Sequence, residues 1–302
     1  MIERGATSVK PDTKAGDTPA APQWFEDANS SPFEAGFVEV EGAQIEHRTW
    51  GERGRPGVLL MHGNGAHLGW WSFLAPLLAT DYRVTAFSFS GMGRSSWREA
   101  YSIGQYTREA FAVSEATGID QSGPPVFIGH SLGGFPVLHA GAAHPHKLRA
   151  AVIVDSALAG PEMTAIPSKP SGKSYPDIDT ALTRFRFSPR QPCENAFIVE
   201  HMARMGLGQL PDGNWTWRFD PALWQGAEMG DLWGDLARVG VPLAIVRGAK
   251  SDLTAGAMMR RIRGTAPEGT RFIEIPEAYH HVMADQPLAL IACLRTLLAA
   301  WA

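Results

Sequence analysis

A serine lies near the middle of the chain, inside the sequence Gly-His-Ser-Leu-Gly at positions 129–133. A buried strand is predicted just before it, at 126–128, and a helix just after it, at 132–143. In a strand, turn and helix of this kind, the G-x-S-x-G pattern exposes the serine hydroxyl at the top of a sheet, where it can act as a nucleophile. The glycines suit a turn in which strand and helix approach too closely for side chains. The pattern therefore predicts nucleophilic catalysis by Ser131.

A second glycine-rich turn, His-Gly-Asn-Gly at 62–65, follows a predicted strand at 58–61. Attack by a serine on a carbonyl group creates a negatively charged oxygen, which backbone N–H groups stabilise. Glycine in such a loop lets an N–H group approach this oxygen without steric obstruction. We predict that the backbone N–H groups of Asn64 and Leu132 form the oxyanion hole.

A serine hydroxyl becomes a good nucleophile only when a neighbouring base takes its proton. Of the ten histidines, His280 and His281 lie just after a predicted strand at 272–275 and are the candidates for this base. His62 and His130 belong to the two glycine turns, and for them we predict structural roles. His62 is expected to brace the oxyanion loop, and His130 to point away across the serine turn.

The positions of these residues depend on strands that alternate with helices. Short apolar runs rich in β-branched residues are typical of strands covered on both faces. They occur at 58–61, 84–87, 126–128, 150–154, 243–246 and 272–275. Helix-length segments separate them, which predicts an α/β fold with a mostly parallel sheet and helices on both faces. Runs at 37–40 and 43–47 alternate apolar and polar residues and predict an antiparallel hairpin before the parallel strands.

The distribution of these elements predicts three regions. Residues 1–32 have no strong apolar pattern and are expected to form a flexible N-terminal tail. Residues 33–155 and 239–302 are expected to form the α/β core. The interval 156–238 has prolines and glycines near its start, no convincing strand and two candidate helices. We expect it to form a helical cap over the carboxyl edge of the sheet, where open α/β sheets bind their ligands.

Together, the two glycine turns and the late histidines resemble the motifs of the α/β-hydrolase superfamily, over about 37–302 apart from the cap. The turn at 89–95 is also similar to one in this family. The resemblance implies an α/β-hydrolase fold with a mostly parallel sheet and a cap. Because residue 131 is serine and not aspartate, it further implies a serine hydrolase similar to carboxylesterases.

The resemblance also bears on the base. Asp285 lies at the start of a predicted helix, and Pro287 lies in its first turn. The spacing from His280 to these two residues is similar to the family pattern. This favours His280 as the base. It leaves His281 as a neighbour that shapes the pocket.

The base needs a carboxylate that fixes its tautomer and stabilises its charged form. Asp155 directly follows the predicted strand at 150–154, and Asp252 lies a few residues after the one at 243–246. Both precede the late histidines and follow Ser131, so the chain order Ser, Asp, His does not decide between them. A short loop from the second strand can reach the base, which favours Asp252. Asp155 is then expected to cap the turn that leads from the core into residues 156–238.

Ten tryptophans stand out in an otherwise ordinary composition. Aromatic side chains in the cap and after the oxyanion loop predict an apolar pocket above Ser131. The residues concerned are Trp70, Trp71, Trp215, Trp217, Trp224 and Trp233. The basic residues early in the cap are candidates for holding an anionic substrate, but the favoured interpretation is a solvated face. They are Lys173, Arg184, Arg186 and Arg190.

These features predict a serine hydrolase that cleaves a carboxylic ester or lactone of a hydrophobic or aromatic small molecule through an acyl-enzyme. One alternative is a hydrolase of carbon-carbon bonds in a vinylogous diketone. Members of that kind usually carry a proline in the oxyanion loop and a methionine after the serine, whereas this chain has Asn64-Gly65-Ala66 and Leu132. A second alternative is a ligand sensor that retains the triad.

Several classes of protein are excluded or disfavoured. A net charge of -4 without a long block of one sign argues against nucleic acid as a partner. There is no dinucleotide-binding glycine pattern, metalloprotease motif or cysteine cluster, so neither a cofactor nor a metal is predicted. The longest apolar stretch, 288–302, is interrupted by Arg295 and too short to span a membrane. With two cysteines and no signal-peptide pattern, we expect a cytoplasmic protein, monomeric or homodimeric.

Overall fold

The computed structural model describes residues 20–158 and 172–301. Its strands are numbered in chain order. They are β1 Glu34–Val40, β2 Ala43–Trp50, β3 Gly57–Met61, β4 Arg83–Phe87, β5 Val126–His130, β6 Ala150–Val154, β7 Ser174–Tyr175, β8 Leu207–Gln209, β9 Trp215–Trp217, β10 Leu243–Gly248 and β11 Arg271–Ile275. Eight of them form one sheet in the order β1-β2-β4-β3-β5-β6-β10-β11. The pairs β1 with β2 and β2 with β4 are antiparallel and the others are parallel, which confirms the predicted hairpin and mostly parallel sheet.

The central strands are apolar throughout because both of their faces are covered. Along β3, Val58 and Leu60 belong to the apolar core on one face of the sheet, and Leu59 and Met61 to the core on the other. Successive side chains of a strand point to opposite faces, so a strand between two layers of helices needs apolar residues at every position. The continuous apolar runs in the sequence follow from this requirement.

The helices are also numbered in chain order. They are α1 Gln23–Ser30, α2 Ala75–Leu78, α3 Ile103–Thr117, α4 Gly134–Ala143, α5 Ile178–Leu182, α6 Ala196–Met205, α7 Leu232–Arg238, α8 Gly256–Thr265, α9 Val282–Asp285 and α10 Pro287–Ala299. Helices α3, α4, α7 and α8 contribute to the core on one face, and α1, α2, α6, α9 and α10 to the core on the other. The described chain is therefore three layered, with the sheet between two layers of helices.

Two regions contain elements that the sequence patterns did not predict. Helix α1 lies within the predicted tail, and its Phe25 is buried against Phe73 of the core. In the predicted cap, β7, β9 and β8 form a small antiparallel sheet beside α5 and α6. Strands of two or three residues are too short to show a period. The predicted tail up to residue 19 and cap residues 159–171 lie outside the described residues, and the domain boundaries stay predictions.

The carboxyl ends of the parallel strands bring the candidate residues to one edge of the sheet. Ser131 follows β5, Asp155 follows β6, and His280 follows β11 after a short loop. The oxyanion loop follows β3 at the same edge. None of the helices in the described ranges has both the length and the apolar character needed to cross a membrane.

Candidate active site

Ser131 begins a short 3-10 turn, Ser131–Gly133, between β5 and α4. Its backbone has a φ of 52°, in the left-handed region that costs free energy for a residue with a side chain. The flanking glycines have a steric cause. A Cβ atom on Gly129 would lie 2.1 Å from the carbonyl oxygen of Gly133, and one on Gly133 would lie 2.6 Å from that of His62. The turn is tight enough to exclude side chains on both sides of the serine, as the sequence pattern indicated.

His280 lies between Ser131 and a buried carboxylate. Its Nε2 atom is 3.1 Å from the Ser131 Oγ, and its Nδ1 atom is 2.9 Å from the Oδ1 of Asp155. A carboxylate only accepts hydrogen bonds, so Nδ1 carries the proton and Nε2 is free to accept the one on the serine hydroxyl. This arrangement of nucleophile, base and carboxylate is the geometry that acyl transfer by a serine requires.

Asp155 is held by four hydrogen-bond donors. Its Oδ1 accepts from His280 and from the hydroxyl of Ser251, at 2.6 Å. Its Oδ2 accepts from the backbone N–H of Gly248 at 2.8 Å and the hydroxyl of Thr254 at 3.0 Å. The side chain is fully buried. Because these donors replace water around the charge, an ionised carboxylate is stabilised beside His280.

The prediction that Asp252 orients the base is therefore wrong. The end of β10 and the loop after it do reach the site, but they supply the Gly248 N–H and two hydroxyls, and the Asp252 side chain is exposed. Among the described residues, the Asp155 carboxylate accepts no hydrogen bond from the turn that follows it. The Asp155 backbone has a φ of 48°, and its N–H donates to the carbonyl of Val246 in β10. No pattern in the sequence predicts this left-handed turn at the end of β6.

The oxyanion loop is braced by His62, as predicted. Its Nδ1 donates to the carbonyl of Gly63 at 2.7 Å, and its Nε2 accepts from the N–H of Phe89 at 3.1 Å. Burial lowers the pKa of His62 to about 4, so the ring is neutral and keeps one donor and one acceptor. The side chain thereby joins the loop after β3 to the chain after β4.

Asn64 and Leu132 lie beside the nucleophile. A Cβ atom on Gly63 would be 3.2 Å from that of Ser131, so the loop passes directly over the serine. Apart from the regular hydrogen bonds of helices and strands, neither amide has a backbone acceptor in the described ranges. The Asn64 side chain is held separately, because the indole N–H of Trp224 donates to its Oδ1 at 3.0 Å. Trp224, predicted from the sequence to lie in the pocket wall, thus holds the Asn64 side chain in place.

We expect Trp224→Phe to lower kcat about fivefold, since losing a hydrogen bond of ~1 kcal/mol frees the turn that carries Asn64. The matched control is Trp233→Phe, because the buried indole N–H of Trp233 has no partner in the part of the chain described. Steady-state kinetics and melting curves of both variants check this. Equal losses of kcat in the two variants would contradict a positioning role for Trp224.

His130 and His281 pack around the base. The His130 Nε2 donates to the carbonyl of His280 at 3.0 Å, so its ring turns towards the base loop and not away from it as predicted. Neither ring nitrogen of His281 has a partner within the described residues, and its ring stacks on Phe187 with 4.6 Å between centroids. Burial lowers the pKa of both histidines well below its usual range. One nitrogen from each of His130, His280 and His281 lies within 4.8 Å of the others, a spacing that could hold a metal ion.

The loop that carries His280 is closed by Asp285. Its carboxylate accepts from the Tyr279 N–H at 2.7 Å and from the Gln191 side chain at 2.9 Å, whereas it caps neither α9 nor α10. Gln191 in turn accepts from the N–H of His281 at 2.9 Å. Burial raises the pKa of Asp285 to about 6. Gln191 was not predicted, because a single glutamine in an irregular segment has no sequence signal.

A cavity of about 410 Å³ opens between the cap and the oxyanion loop. Of the six tryptophans predicted to surround the pocket, Trp70 and Trp217 line it. Trp71 is fully buried in the core, and Trp224 holds Asn64 as described. The remaining apolar lining consists of Phe185, Met202 and Phe219. The cavity wall is thus aromatic, but only two of the six predicted tryptophans line it.

Comparison with known proteins agrees with this architecture. Esterase Rv0045c of Mycobacterium tuberculosis is 27% identical over 292 residues, which cover 90% of this chain and 93% of that esterase. A solved structure of that esterase superposes with a TM-score of 0.70 at 23% identity, covering 91% of this chain and 96% of the other. The pimeloyl-[acyl-carrier protein] methyl ester esterase of Neisseria meningitidis serogroup C is 26% identical over 251 residues, 79% of this chain and 91% of that enzyme. The crystal structure of E-2-(acetamidomethylene)succinate hydrolase covers 89% of this chain and 100% of its own, with a TM-score of 0.75 and 21% identity.

The model of the family described as the alpha/beta hydrolase family matches residues 58–292. The match begins in β3 and ends in α10, so it spans both glycine turns, the cap and the late histidines. The order of strands, the tight serine turn and the buried carboxylate behind the histidine agree with it. The chain belongs to the alpha/beta hydrolase family.

Proposed function

We propose that this protein is a serine hydrolase that cleaves a carboxylic ester through an acyl-enzyme. The observation that carries the proposal is the continuous chain of hydrogen bonds from Ser131 through His280 to Asp155, at 3.1 Å and 2.9 Å. In the first half of the reaction the Ser131 Oγ attacks the ester carbonyl while the Nε2 of His280 takes its proton. The C–O bond to the alcohol then breaks, and His280 gives the proton to the departing alkoxide.

The backbone N–H groups of Asn64 and Leu132 are proposed to hold the oxygen that becomes negative in both tetrahedral intermediates. A donor of this kind contributes about 2.7–4 kcal/mol to transition-state stabilisation. Asp155 keeps the proton of the resting histidine on Nδ1 and stabilises the imidazolium that forms during each proton transfer. In the second half, a water molecule takes the place of the alcohol. His280 removes one of its protons, the acyl group leaves as the acid, and the proton returns to Ser131.

The names of relatives support an ester as substrate. One is an esterase, and another acts on the methyl ester of a pimeloyl group on a carrier protein. The aromatic wall of the cavity, with Trp70 and Trp217, suits a hydrophobic or aromatic acyl or alcohol group. A lactone is an internal ester, and the same steps open it.

A substrate screen tests the proposal. We expect p-nitrophenyl esters of increasing acyl length to be hydrolysed over many turnovers, with kcat/KM rising until the chain fills the cavity of about 410 Å³. Faster cleavage of a vinylogous diketone than of any ester or lactone would replace the proposal with carbon-carbon bond hydrolysis. A single slow turnover would instead favour a ligand sensor.

The histidine cluster makes the proposed enzyme sensitive to transition metals. A solved structure of the esterase Rv0045c was reported together with the inhibition of that esterase by transition metals. In this chain His130, His280 and His281 are close enough to share an ion, and Zn²⁺ and Cu²⁺ prefer imidazole ligands. An ion there would take the base away from Ser131. We expect reversible inhibition by Zn²⁺ that EDTA relieves.

The matched variants for this prediction are His281→Phe and His146→Phe, since His146 is an exposed histidine away from the cluster. We expect His281→Phe to raise the Zn²⁺ concentration for half inhibition about tenfold, as the loss of a ligand lowers metal affinity. His146→Phe should leave it unchanged. Equal sensitivity of the two variants would contradict binding at the cluster.

A further inference from the structure

Four cationic side chains line the cavity under the cap: Lys173, Arg184, Arg186 and Arg218. Among residues 20–158 and 172–301, no carboxylate oxygen lies within 4.0 Å of the charged nitrogens of any of them. Two other arginines of the same segment, Arg204 and Arg238, are paired with carboxylates. Arg204, for example, pairs with Glu200 at 2.8 Å. The cavity therefore has a local excess of positive charge that the protein chain described here does not balance.

Two of these guanidinium groups are fixed by backbone carbonyls. Nη1 of Arg186 donates to the carbonyl of Thr183 at 2.9 Å, and Nε of Arg218 donates to that of Leu207 at 2.7 Å. These bonds orient the groups without cancelling their charge. The remaining donors of each guanidinium have no acceptor in the described ranges and form a planar fork, which suits carboxylate and phosphate oxygens.

Arg218 is the half-buried member of this set. Burial lowers its pKa, and the positive charge of nearby Arg94 adds to this effect, while Glu46 opposes it. A cation that is partly removed from water and close to another cation gains more from a bound anion than a fully exposed one does. The site of Arg218 is thus the part of the cavity where an anion would be most strongly stabilised.

The cavity lies next to the proposed base, because Trp70 lines it and packs against His281 with 5.1 Å between ring centroids, and His281 packs against His280 at 4.7 Å. Gly65 lines the cavity, and a Cβ atom there would meet nothing within 4 Å. Gly63, two residues earlier, approaches Ser131 closely. Trp70 and Trp217 lie along the same cavity as the four cations. A substrate bound at Ser131 can therefore place an apolar chain along the aromatic wall and its far end among the cations.

We propose that the cavity binds an anionic oxygen group, a carboxylate or a phosphate, at the end of the ester substrate remote from the scissile bond. This inference rests on the proposed ester hydrolysis and specifies its substrate class. It favours the alternative that the sequence left open for Lys173, Arg184 and Arg186, because these exposed side chains share a concave site with aromatic side chains. Arg190, by contrast, does not line the cavity.

The test compares p-nitrophenyl esters of equal chain length that end in a methyl group, a carboxylate or a phosphate. We expect kcat/KM for at least one anionic ester to exceed that for the neutral ester about tenfold, the effect of one charged hydrogen bond. Arg218→Gln should abolish this preference, measured within each variant as the ratio of kcat/KM for the anionic ester to kcat/KM for the neutral ester. Because Arg218 is half-buried, the exposed Arg184→Gln is a second variant, and Arg190→Gln is the matched control.

The anionic ester with the larger kcat/KM shows whether the cavity prefers a carboxylate or a phosphate. Neutral ester hydrolysed as fast as both anionic esters, or a preference that persists equally in all three variants, would overturn the inference while leaving the proposed function intact. If no ester is hydrolysed, calorimetric titration with glutarate and with inorganic phosphate still tests the site. Binding that weakens in Arg218→Gln but not in Arg190→Gln supports it, and no binding by the unsubstituted protein refutes it.

Discussion

Ser131→Ala is expected to lower kcat for ester hydrolysis by about 10³-fold or more, with KM little changed. The substitution removes only the Oγ atom that lies 3.1 Å from the Nε2 of His280. Alanine at this position has the same left-handed backbone strain as serine, because both carry a Cβ atom. The fold is therefore expected to remain intact. Initial rates with a p-nitrophenyl ester and a melting curve of the variant measure both effects.

Ser156→Ala is the matched control for this loss. Ser156 is a buried serine just after Asp155, and its hydroxyl has no partner among the described residues. We expect its kcat to stay within about twofold of the unsubstituted enzyme, as for substitutions that touch no reacting group. Substantial turnover by Ser131→Ala, or an equal loss in Ser156→Ala, would show that another residue attacks the ester.

Asp155→Asn is expected to lower kcat about 10⁴-fold. The Asp155 Oδ2 accepts a hydrogen bond from the backbone N–H of Gly248. Because a backbone N–H can only donate, an oxygen must occupy this position. An asparagine that keeps its oxygen there must turn its NH₂ group towards His280. The Nδ1 of His280 then has to accept, its proton moves to Nε2, and Nε2 can no longer accept from Ser131. The loss arises in kcat because the substrate site is unchanged.

The same substitution at Asp252 separates the two candidate carboxylates. Asp252 is exposed, so Asp252→Asn is expected to change kcat less than about twofold. Asp155→Asn is also expected to lower the free energy of unfolding by about 1–3 kcal/mol for each buried donor left unpaired. Rates are therefore compared at a temperature where melting curves show both variants folded. A larger loss of kcat in Asp252→Asn would contradict the assignment of Asp155.

Much of this site follows from sequence because its chemistry is local. The strand, turn and helix around Ser131 and the glycine turn at 62–65 are contiguous in the chain, and both glycine patterns have direct steric causes in the structure. The alternation of apolar strands with helices likewise fixes which strand ends meet at one edge. His280 is brought to Ser131 by its position after the last strand of the sheet.

The partner of His280 could not be predicted in this way. Asp155 and Asp252 follow neighbouring strands at the same edge, so topology places both near the base. The difference lies in the left-handed turn at Asp155 and in the hydroxyls of Ser251 and Thr254, which face its carboxylate. In the sequence, this arrangement is reflected in Ser251 and Thr254, which flank the exposed Asp252.

The number of tryptophans likewise did not predict which of them line the cavity. Tryptophan is equally suited to a core and to a pocket wall, so composition cannot distinguish Trp71, which is fully buried, from Trp217, which lines the cavity. The small cap sheet was missed because its strands are too short for a period. The sequence singles out Lys173, Arg184 and Arg186, but only the folded cap shows that they share one cavity with Arg218.

The measurement that tests the central claim most directly is mass spectrometry of the enzyme after reaction with a p-nitrophenyl alkylphosphonate. Attack by an activated serine on this compound releases p-nitrophenol and leaves the phosphonyl group bound to the serine oxygen. We predict one adduct, on the peptide that contains Ser131, absent in Ser131→Ala and formed far more slowly in Asp155→Asn. An adduct on another residue, or one that persists in Ser131→Ala, would contradict the account.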